Sequence, residues 1–534
     1  PLRRDLLADV LLRTERLCET LGLRTRQLAL VESLIALLAP HGPSVRLAQA
    51  YLRQGDALTL LRRFEAAERS LLTARQIAEE LDEPSGERNA LRSLSFLRSH
   101  EGRHDEALAI IEEVVASARA AGDRRAEHGD LASIANILRA LGRPEQARDV
   151  LQEAIDRTDH AVNPARYGAL LNVMATLHRD LGDLPAALEY YQRTRSYVPH
   201  TVYASFSLPG IAYLQLQQGE TEAAIATYRE AVEMNRRARY ADGTANASRS
   251  LGEVLMGLER YDEALLPLHD AAALFAQLED VANEALMRRR IAEVEERRGA
   301  SAEARRAWRA AADRALAAGD RRAEADALEG IARCERRLDG PTAGVVALYE
   351  DALRIATQLG DRRRELSLRN ALGIVHWQRG AFAEAVRQYE AALRLCREGS
   401  DRVHEGLILN SLGATLLKLK RWDEARLALA DGVRVTEASG EVQLRAHALG
   451  LLGEVCLASG RLDEAQRALE SSLQLRLVLG DRRGEGWMLE HLSRVALARA
   501  DVAAARVHAR DALSIAESLD DAALRSAAQQ ALAR

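Results

Sequence analysis

The sequence is poor in aromatic residues and proline, and each shortage narrows the choice of fold. Aromatic residues make up only 4% of the 534 residues although hydrophobic residues reach 47%, so the core must consist of Leu, Ala, Ile and Val. That composition favours close helix packing over a sheet sandwich. Only 11 prolines are present, and no Pro- or Ser-rich linker divides the chain. A chain of this length exceeds one ordinary globular core, so one extended array is expected.

Cysteine is also scarce. The four cysteines are Cys18, Cys334, Cys396 and Cys456, which lie far apart and form no C-x-x-C pair. Sparse cysteine in a long chain indicates a reducing compartment and buried free thiols. No run of eighteen apolar residues and no signal-peptide core is present, so we expect a cytoplasmic protein that does not bind a membrane. The sequence opens at Pro1 without a methionine, which suggests a piece of a longer protein.

Charge of neither sign dominates the sequence. The chain has 74 basic and 79 acidic residues and a formal net charge of -5, and both signs are interspersed. A nucleic-acid binder normally carries a basic excess or stripe, so we expect no nucleic-acid binding by this chain. Nearly all basic residues are arginine. This bias, with heavy alanine usage, indicates a GC-rich bacterial genome.

A motif recurs along the chain every forty residues. Its anchor is a small residue, and the equivalent positions are Ala67, Ala107, Ala147, Ala187, Ala224, Ala264, Ala304, Val345, Ala385, Ala425, Ala465 and Ala505. The spacing is 40 residues except for one interval of 37 and one of 41. A glycine usually stands five residues before the anchor, and a small residue stands twelve before it. We interpret each repeat as a helix A with a small notch, a tight turn, and a helix B whose anchor fits the notch.

This pattern resembles the tetratricopeptide repeat, whose consensus has Leu-Gly, then Ala, an aromatic residue and Ala at fixed intervals. Leu372, Gly373, Ala385, Tyr389 and Ala392 reproduce it in one repeat. The resemblance implies an all-α, right-handed α-solenoid of about thirteen antiparallel helix pairs with a C-terminal cap helix. Repeats of forty residues are similar to those of bacterial signal-transduction ATPase regulators, cell-polarity scaffolds and kinesin light chains. All three groups use the array to hold another protein or a ligand.

The repeat phase predicts three parts of the chain. Residues 1–43 are expected to form a degenerate first pair because Gly22 keeps the phase, residues 44–518 are twelve repeats, and residues 519–534 are one helix. That last helix is either the solvating cap that such arrays need or the first half of a truncated repeat. The interval of 37 residues contains Pro199, which predicts a compact junction at that point.

No residue pattern predicts catalysis. The chain lacks a glycine-rich phosphate loop that ends in Lys-Ser or Lys-Thr, and its turn glycines are periodic. His100 and His104 have a spacing that metal ligands use, but they fall at a single A-to-B turn, and a solvated turn explains them. The Asp-Glu pairs before the anchors begin helix B, where negative charge stabilises the helix dipole. We therefore expect no enzyme, no cofactor and no metal site.

The inner face of helix A carries the candidates for binding, because stacked A helices make one continuous groove. Asn172, Asn370 and Asn410 share one repeat position, and Asn136 lies one turn further along its own helix. An asparagine side chain donates and accepts at once, so a row of them can hold an extended peptide backbone. The resemblance points the same way, since kinesin-light-chain-like repeats place Asn on this face. A solvated helix face is the plainer explanation for each residue alone.

Trp377, Arg249 and Arg289 are expected on the same face. Trp377 is either a core filler or a platform in the groove. The two arginines suggest an acidic ligand, but Glu253 and Glu293 lie nearby, and internal salt bridges explain the arginines equally well.

Two hypotheses for function follow from the repeat. The first is a non-enzymatic scaffold that holds a protein or peptide segment in the concave groove. The second is the ligand- or partner-sensing arm of a larger bacterial regulator, whose ATPase, kinase or transcriptional-activator part lies outside this sequence. The sequence predicts no particular oligomeric state.

Overall fold

The computed structural model describes residues 2–20, 23–198 and 202–533. Every regular element in these ranges is a helix. The chain divides into two compact units, unit 1 (Pro1–Gly299) and unit 2 (Ala300–Arg534). Within each unit the helices pack on their neighbours in the sequence through short turns, as an amphipathic helix must do to bury its apolar face. The predicted all-α fold of tandem antiparallel helix pairs is confirmed.

Unit 1 alternates A and B helices through its described residues. Its helices are α1 (Leu2–Thr20), α2 (Arg24–Leu38), α3 (Val45–Leu60), α4 (Phe64–Glu80), α5 (Pro84–His100), α6 (His104–Ala120), α7 (Arg124–Ala140), α8 (Pro144–Asp156), α9 (Pro164–Asp180), α10 (Leu184–Tyr197), α11 (Val202–Ser205), α12 (Leu208–Gln217), α13 (Thr221–Arg237), α14 (Ala241–Gly257), α15 (Tyr261–Gln277) and α16 (Val281–Arg297). The short α11 and α12 together replace one A helix. A 3-10 turn follows α2 at Ala39–His41.

Unit 2 continues the alternation, beginning with a B helix. Its helices are α17 (Ser301–Ala317), α18 (Arg321–Asp339), α19 (Ala343–Gln358), α20 (Arg362–Gln378), α21 (Phe382–Gly399), α22 (Arg402–Lys418), α23 (Trp422–Ala438), α24 (Val442–Ala458), α25 (Leu462–Leu479), α26 (Arg482–Ala498), α27 (Val502–Ser518) and α28 (Ala522–Leu532). The last helix, α28, packs on both α26 and α27.

The notch of helix A contacts the anchor of helix B, as the spacing predicts. The Ser95 hydroxyl in the notch donates to the carbonyl of the anchor Ala107 at 2.7 Å, and Ser493 donates to Ala505 at 2.9 Å. In another repeat, a Cβ added at Gly373 would lie 2.5 Å from the Tyr389 ring. Only a small side chain in the notch therefore lets the two backbones approach.

The junctions between repeats have the caps that the Gly-Asp pattern predicts. Gly360 adopts a φ of +65°, in the left-handed region that favours glycine at the end of a helix. The next residue, Asp361, accepts a hydrogen bond from the Arg364 amide at 3.1 Å. This side-chain cap satisfies one of the free amides at the start of α20.

Two sequence predictions concern residues outside the described ranges. They are the phase assignment of Gly22 and the compact junction at Pro199. The neighbouring described residues show that α10 ends at Tyr197 and that α11 is a single helical turn.

Several pairs of successive A helices contact each other more closely than any two successive B helices do among the described residues. In unit 1, α3 packs on α5, α7 on α9 and α14 on α16, and in unit 2, α22 packs on α24 and α24 on α26, whereas no two successive B helices pack to this extent among the described residues. Closer spacing on one side curves an array toward that side. In unit 1 the Thr25 amide also donates to Glu279 at 3.2 Å, which brings the first and seventh pairs together. Within each unit the A helices therefore line the inner wall.

One buried histidine lies on α20, an A helix of unit 2. The His376 side chain is 8% exposed, and its Nδ1 has no hydrogen-bond partner among the described residues. Burial lowers the pKa of this imidazole, and Glu350 and Glu384 offset only part of the effect. The native state therefore holds His376 in its neutral form.

Ala264→Leu should overpack the notch and lower the free energy of unfolding by about 1–3 kcal/mol, because Ala264 is fully buried. As a control, Arg363→Gln changes an exposed residue in a repeat junction and should be near neutral. Chemical denaturation of the two variants compares these effects. A larger loss for Arg363→Gln would mean that the repeat phase is misassigned.

Stability should fall with acidification in a way that depends on His376. The pKa of His376 in the folded protein lies below the ordinary value of 6.5. Above pH 6.5 the histidine is neutral in both states and does not reduce the free energy of unfolding. Below that pH the unfolded chain binds a proton more readily than the folded protein, so the free energy of unfolding falls. Melting temperatures of wild type and His376→Gln between pH 7.5 and 5.5 measure this effect. The wild type should show the steeper decline, and equal slopes would contradict the prediction.

Candidate binding face of the A helices

Asn410 lies between helices and does not reach the open face that the repeat position predicts for it. Its side chain is 2% exposed, and Nδ2 donates to the Leu444 carbonyl of the next A helix at 3.0 Å. Its Oδ1 is buried, has no hydrogen-bond partner within the described ranges and faces Gly432, where an added Cβ would lie 3.0 Å away. Asn410 therefore links α22 to α24.

Asn172 and Asn370 occupy the same repeat position, but the amide oxygen of each is unpaired in the described part of the chain. Both residues are half-buried, and the Oδ1 atom of each has no hydrogen-bond partner in the described part of the chain. A buried unpaired acceptor is costly, and a ligand that supplies a donor removes that cost. These two amides are therefore available to a ligand in a way that Asn410 is not.

Trp377 and Asn136 are both exposed to solvent. Trp377 is 40% exposed, and its ring makes an edge contact with Phe382 at a centroid distance of 6.4 Å. It therefore fills space at the turn and also offers part of its ring to a ligand. Asn136, on α7, is exposed on the inner wall of unit 1.

The two arginines of this face are paired within the protein. Arg249 donates from Nη1 to Asn283 Oδ1 at 3.2 Å, and Arg289 lies 3.5 Å from Glu293. The neighbouring Arg290 contacts Glu253 and Glu293. Internal pairing therefore accounts for these arginines, and nothing in their surroundings favours an acidic ligand.

The candidates do not form one continuous row. The helices of unit 1 carry Asn136, Asn172, Arg249 and Arg289, and those of unit 2 carry Asn370, Trp377 and Asn410. Two pairs of successive A helices carry candidate asparagines, α7 with α9 in unit 1 and α20 with α22 in unit 2. In the second pair the Asn410 amide bonds to the next A helix.

Three residues of unit 2 were missed by the sequence interpretation and lie on the same wall. Leu407 on α22 is 37% exposed, His447 on α24 is exposed, and Trp487 on α26 is half-buried. They stand 40 residues apart, each eighteen residues before an anchor, so the repeat phase contained the signal that groups them. Together with Asn370 and Trp377 they form what we call the unit 2 face.

The charged side chains beside the unit 2 face are paired with each other. Arg369 contacts Glu365 at 2.6 Å, and Arg494 lies 3.9 Å from Glu490. Each pair is formed within one helix and leaves little net charge at the surface. The face is therefore mainly apolar and close to neutral.

The four cysteines are free and buried. Burial raises the pKa of the Cys396 thiol to about 12, and Asp401 and Glu405 add to the effect, so this thiol stays protonated at neutral pH. Within the described residues no group of three or more His, Cys, Asp or Glu side chains is arranged to hold a metal ion. The same residues contain no helix with the length and apolar character that crossing a lipid bilayer requires.

Asn410→Ala should lower the free energy of unfolding by about 1–2 kcal/mol, because it removes the bond to Leu444 and empties a buried site. Asn370→Ala at the same repeat position removes no internal bond and should change stability by less than about 0.5 kcal/mol. Urea denaturation of both variants measures the difference. Equal losses would show that the two amides have the same structural role.

Several solved structures resemble the chain at low sequence identity. RapI in its apo form is 11% identical, with 66% of this chain and 98% of that chain covered and a TM-score of 0.48. A Signal Transduction ATPase with Numerous Domains protein with a tetratricopeptide repeat sensor, from Pyrococcus horikoshii, is 17% identical, with coverages of 61% and 52% and a TM-score of 0.44. BtubC (BKLC) from P. vanneervenii is 19% identical, with coverages of 41% and 92% and a TM-score of 0.36. No curated protein sequence matches the chain.

Family models match several segments between residues 88 and 518. One model of the tetratricopeptide repeat matches residues 129–197, 346–398, 365–438 and 444–518, and a second matches residues 172–238 and 210–268. A model of anaphase-promoting complex subunit 5 matches residues 88–141. The two repeat models together match more than half of the sequence, in segments that form A and B helices in the structure. The chain belongs to the tetratricopeptide repeat family.

Proposed function

We propose that this protein-interaction scaffold binds an extended, mainly apolar segment of a partner protein across the unit 2 face. The observation that carries the proposal is the exposure of Trp377 and Leu407, at 40% and 37%, on successive A helices of the inner wall. A partner that covers these side chains removes apolar surface from water, and each Å² so buried stabilises the complex by about 25 cal/mol. A partner segment is thereby favoured at this place on the repeat array.

Asn370 supplies the polar contact of the proposed site. Its buried Oδ1 has no donor among the residues that the structure describes. An amide of this kind can bond to the main chain of a peptide whatever its side chains are. The recognised segment is therefore expected to be extended, because only an extended chain leaves its backbone groups free.

The dimensions of the array set the length of the segment. Packed helices lie about 10 Å apart, and an extended peptide advances about 3.3 Å per residue, so each step from one A helix to the next corresponds to about three residues of the peptide. A segment that runs from α20 to α26 therefore has about nine residues. Since the charges beside the face are paired internally, uncharged side chains fit best.

Peptides selected from a random twelve-residue display library against the full chain test this site. The affinity of a selected peptide should fall at least about tenfold for Trp377→Ala or Leu407→Ala, as expected for apolar residues at the centre of an interface. Asn370→Ala should lower the affinity about fivefold, which corresponds to one hydrogen bond of about 1 kcal/mol. Isothermal titration calorimetry gives the dissociation constants.

Leu427→Ala is the matched control for Leu407→Ala. Leu427 is 60% exposed but lies on α23, a B helix away from the inner wall, so its replacement should leave the affinity unchanged. A loss for Leu427→Ala as large as that for Leu407→Ala would move the site to the other side of the array. Unchanged affinity in all three inner-wall variants would refute the proposal.

A further inference from the structure

The helices α13, α14 and α15 of unit 1 enclose a cleft on the B-helix side. The cleft has a volume of about 540 Å³ and an apolar lining that consists of Val232, Leu251, Leu255, Leu266 and Pro267. Volumes of about 300–1,000 Å³ are typical of small-molecule sites. This cleft lies outside the unit 2 face and does not depend on the function proposed there.

One substitution in the repeat accounts for the open space. Ser248 stands sixteen residues before its anchor, where seven other repeats have a leucine, and those residues are Leu91, Leu131, Leu171, Leu208, Leu409, Leu449 and Leu489. Each of these leucines is buried. A serine in place of a leucine leaves a volume that the neighbouring helices do not fill, because packed helices relax only partly around a missing side chain.

The Ser248 hydroxyl is buried and unpaired in the described part of the chain. Its side chain is 0% exposed, its Oγ makes no hydrogen bond to any described residue, and the residue lines the cleft. Buried hydroxyls in native proteins are almost always paired. A ligand in the cleft is the group that can supply the missing partner.

Pro267 removes one backbone hydrogen bond from the same wall. Proline has no amide hydrogen, so the Glu263 carbonyl one turn earlier on α15 lacks its usual helical donor. Both Glu263 and Pro267 line the cleft. The cleft therefore offers acceptors, and a ligand with a hydrogen-bond donor fits it.

The charged groups at the rim are already paired. Arg229 contacts Glu263 at 3.0 Å across the mouth, and Arg236 pairs with Asp270 in the same way. The remaining acidic groups pair outward, Glu233 with Arg237 at 2.9 Å and Asp262 with Arg298 at 2.8 Å. A charged ligand would have to break one of these pairs, so the rim favours an uncharged one.

The mouth of the cleft carries an apolar side chain, Leu266, at a repeat position that is often charged in other repeats. Leu266 is 71% exposed, whereas arginine stands at this repeat position in four other repeats, at Arg69, Arg306, Arg387 and Arg467. An exposed leucine extends the apolar lining to the surface, which suits a ligand that is apolar along its length.

We propose that this cleft is a binding site for an uncharged, mainly apolar small molecule that carries one hydrogen-bond donor. The body of the molecule packs on Val232, Leu251 and Leu255, and the donor bonds to Ser248 Oγ. Leu266 covers the outer end of the bound molecule.

N-phenyl-1-naphthylamine is a suitable probe because it is uncharged, has apolar rings and has a single N–H donor. Titration of the probe into the full chain, followed by its fluorescence, should show saturable binding at one site. Ser248→Leu introduces the leucine that seven other repeats have at this position and should weaken binding at least about tenfold by filling the cleft. Ser248→Ala keeps the volume and should weaken binding about fivefold through loss of one hydrogen bond.

Leu266→Arg and Leu427→Arg form a matched pair of surface variants. Both replace an exposed leucine two residues after an anchor, but only Leu266 lines the cleft, so only Leu266→Arg should weaken probe binding. Circular dichroism checks that all the variants are folded. Failure of the wild type to bind the probe saturably, or equal affinities for wild type and Ser248→Leu, would overturn the proposal.

Discussion

The close approach of helix A to helix B is the contact on which the rest of the structure depends. A small residue in the notch lets the anchor backbone come near enough for Ser95 and Ser493 to donate directly to the anchor carbonyls. A larger side chain in the notch would separate the helices, and the bulky residues that lock each pair, such as Tyr389, would lose their packing. Because this contact recurs every forty residues, one local rule builds both units.

The helix pairs that this contact forms give each unit two different surfaces, one made of A helices and one made of B helices. Since several pairs of successive A helices pack more closely than any two successive B helices among the described residues, the A helices form an inner wall, and the B helices leave wider gaps on the other side. An extended segment suits the wall, where one repeat follows another at a regular step. A compact molecule suits a gap between B helices, such as the one between α13 and α15.

Positions where a repeat departs from its neighbours carry the functional inferences. Ser248 replaces a buried leucine, and Leu266 replaces an exposed arginine of other repeats. Asparagine at one repeat position is used in two different ways. Asn410 bonds to the next A helix, whereas Asn370 has no such partner among the described residues. In a repeat protein, a residue that departs from the consensus is therefore a candidate for a functional role. The contacts of that residue in the structure determine what the role is.

The sequence by itself determined the helix pairs, their turns and their caps, because the notch, the anchor and the Gly-Asp junction act through residues close in the chain. Only the tertiary structure decided which side chains are exposed to a ligand and which are used in contacts within the protein. Contacts within the protein pair the side chains of Asn410, Arg249 and Arg289. The sequence could not predict these contacts, because residues at one repeat position have different surroundings in different repeats. The grouping of Leu407, His447 and Trp487, and the cleft beside Ser248, likewise required the packing of successive helices.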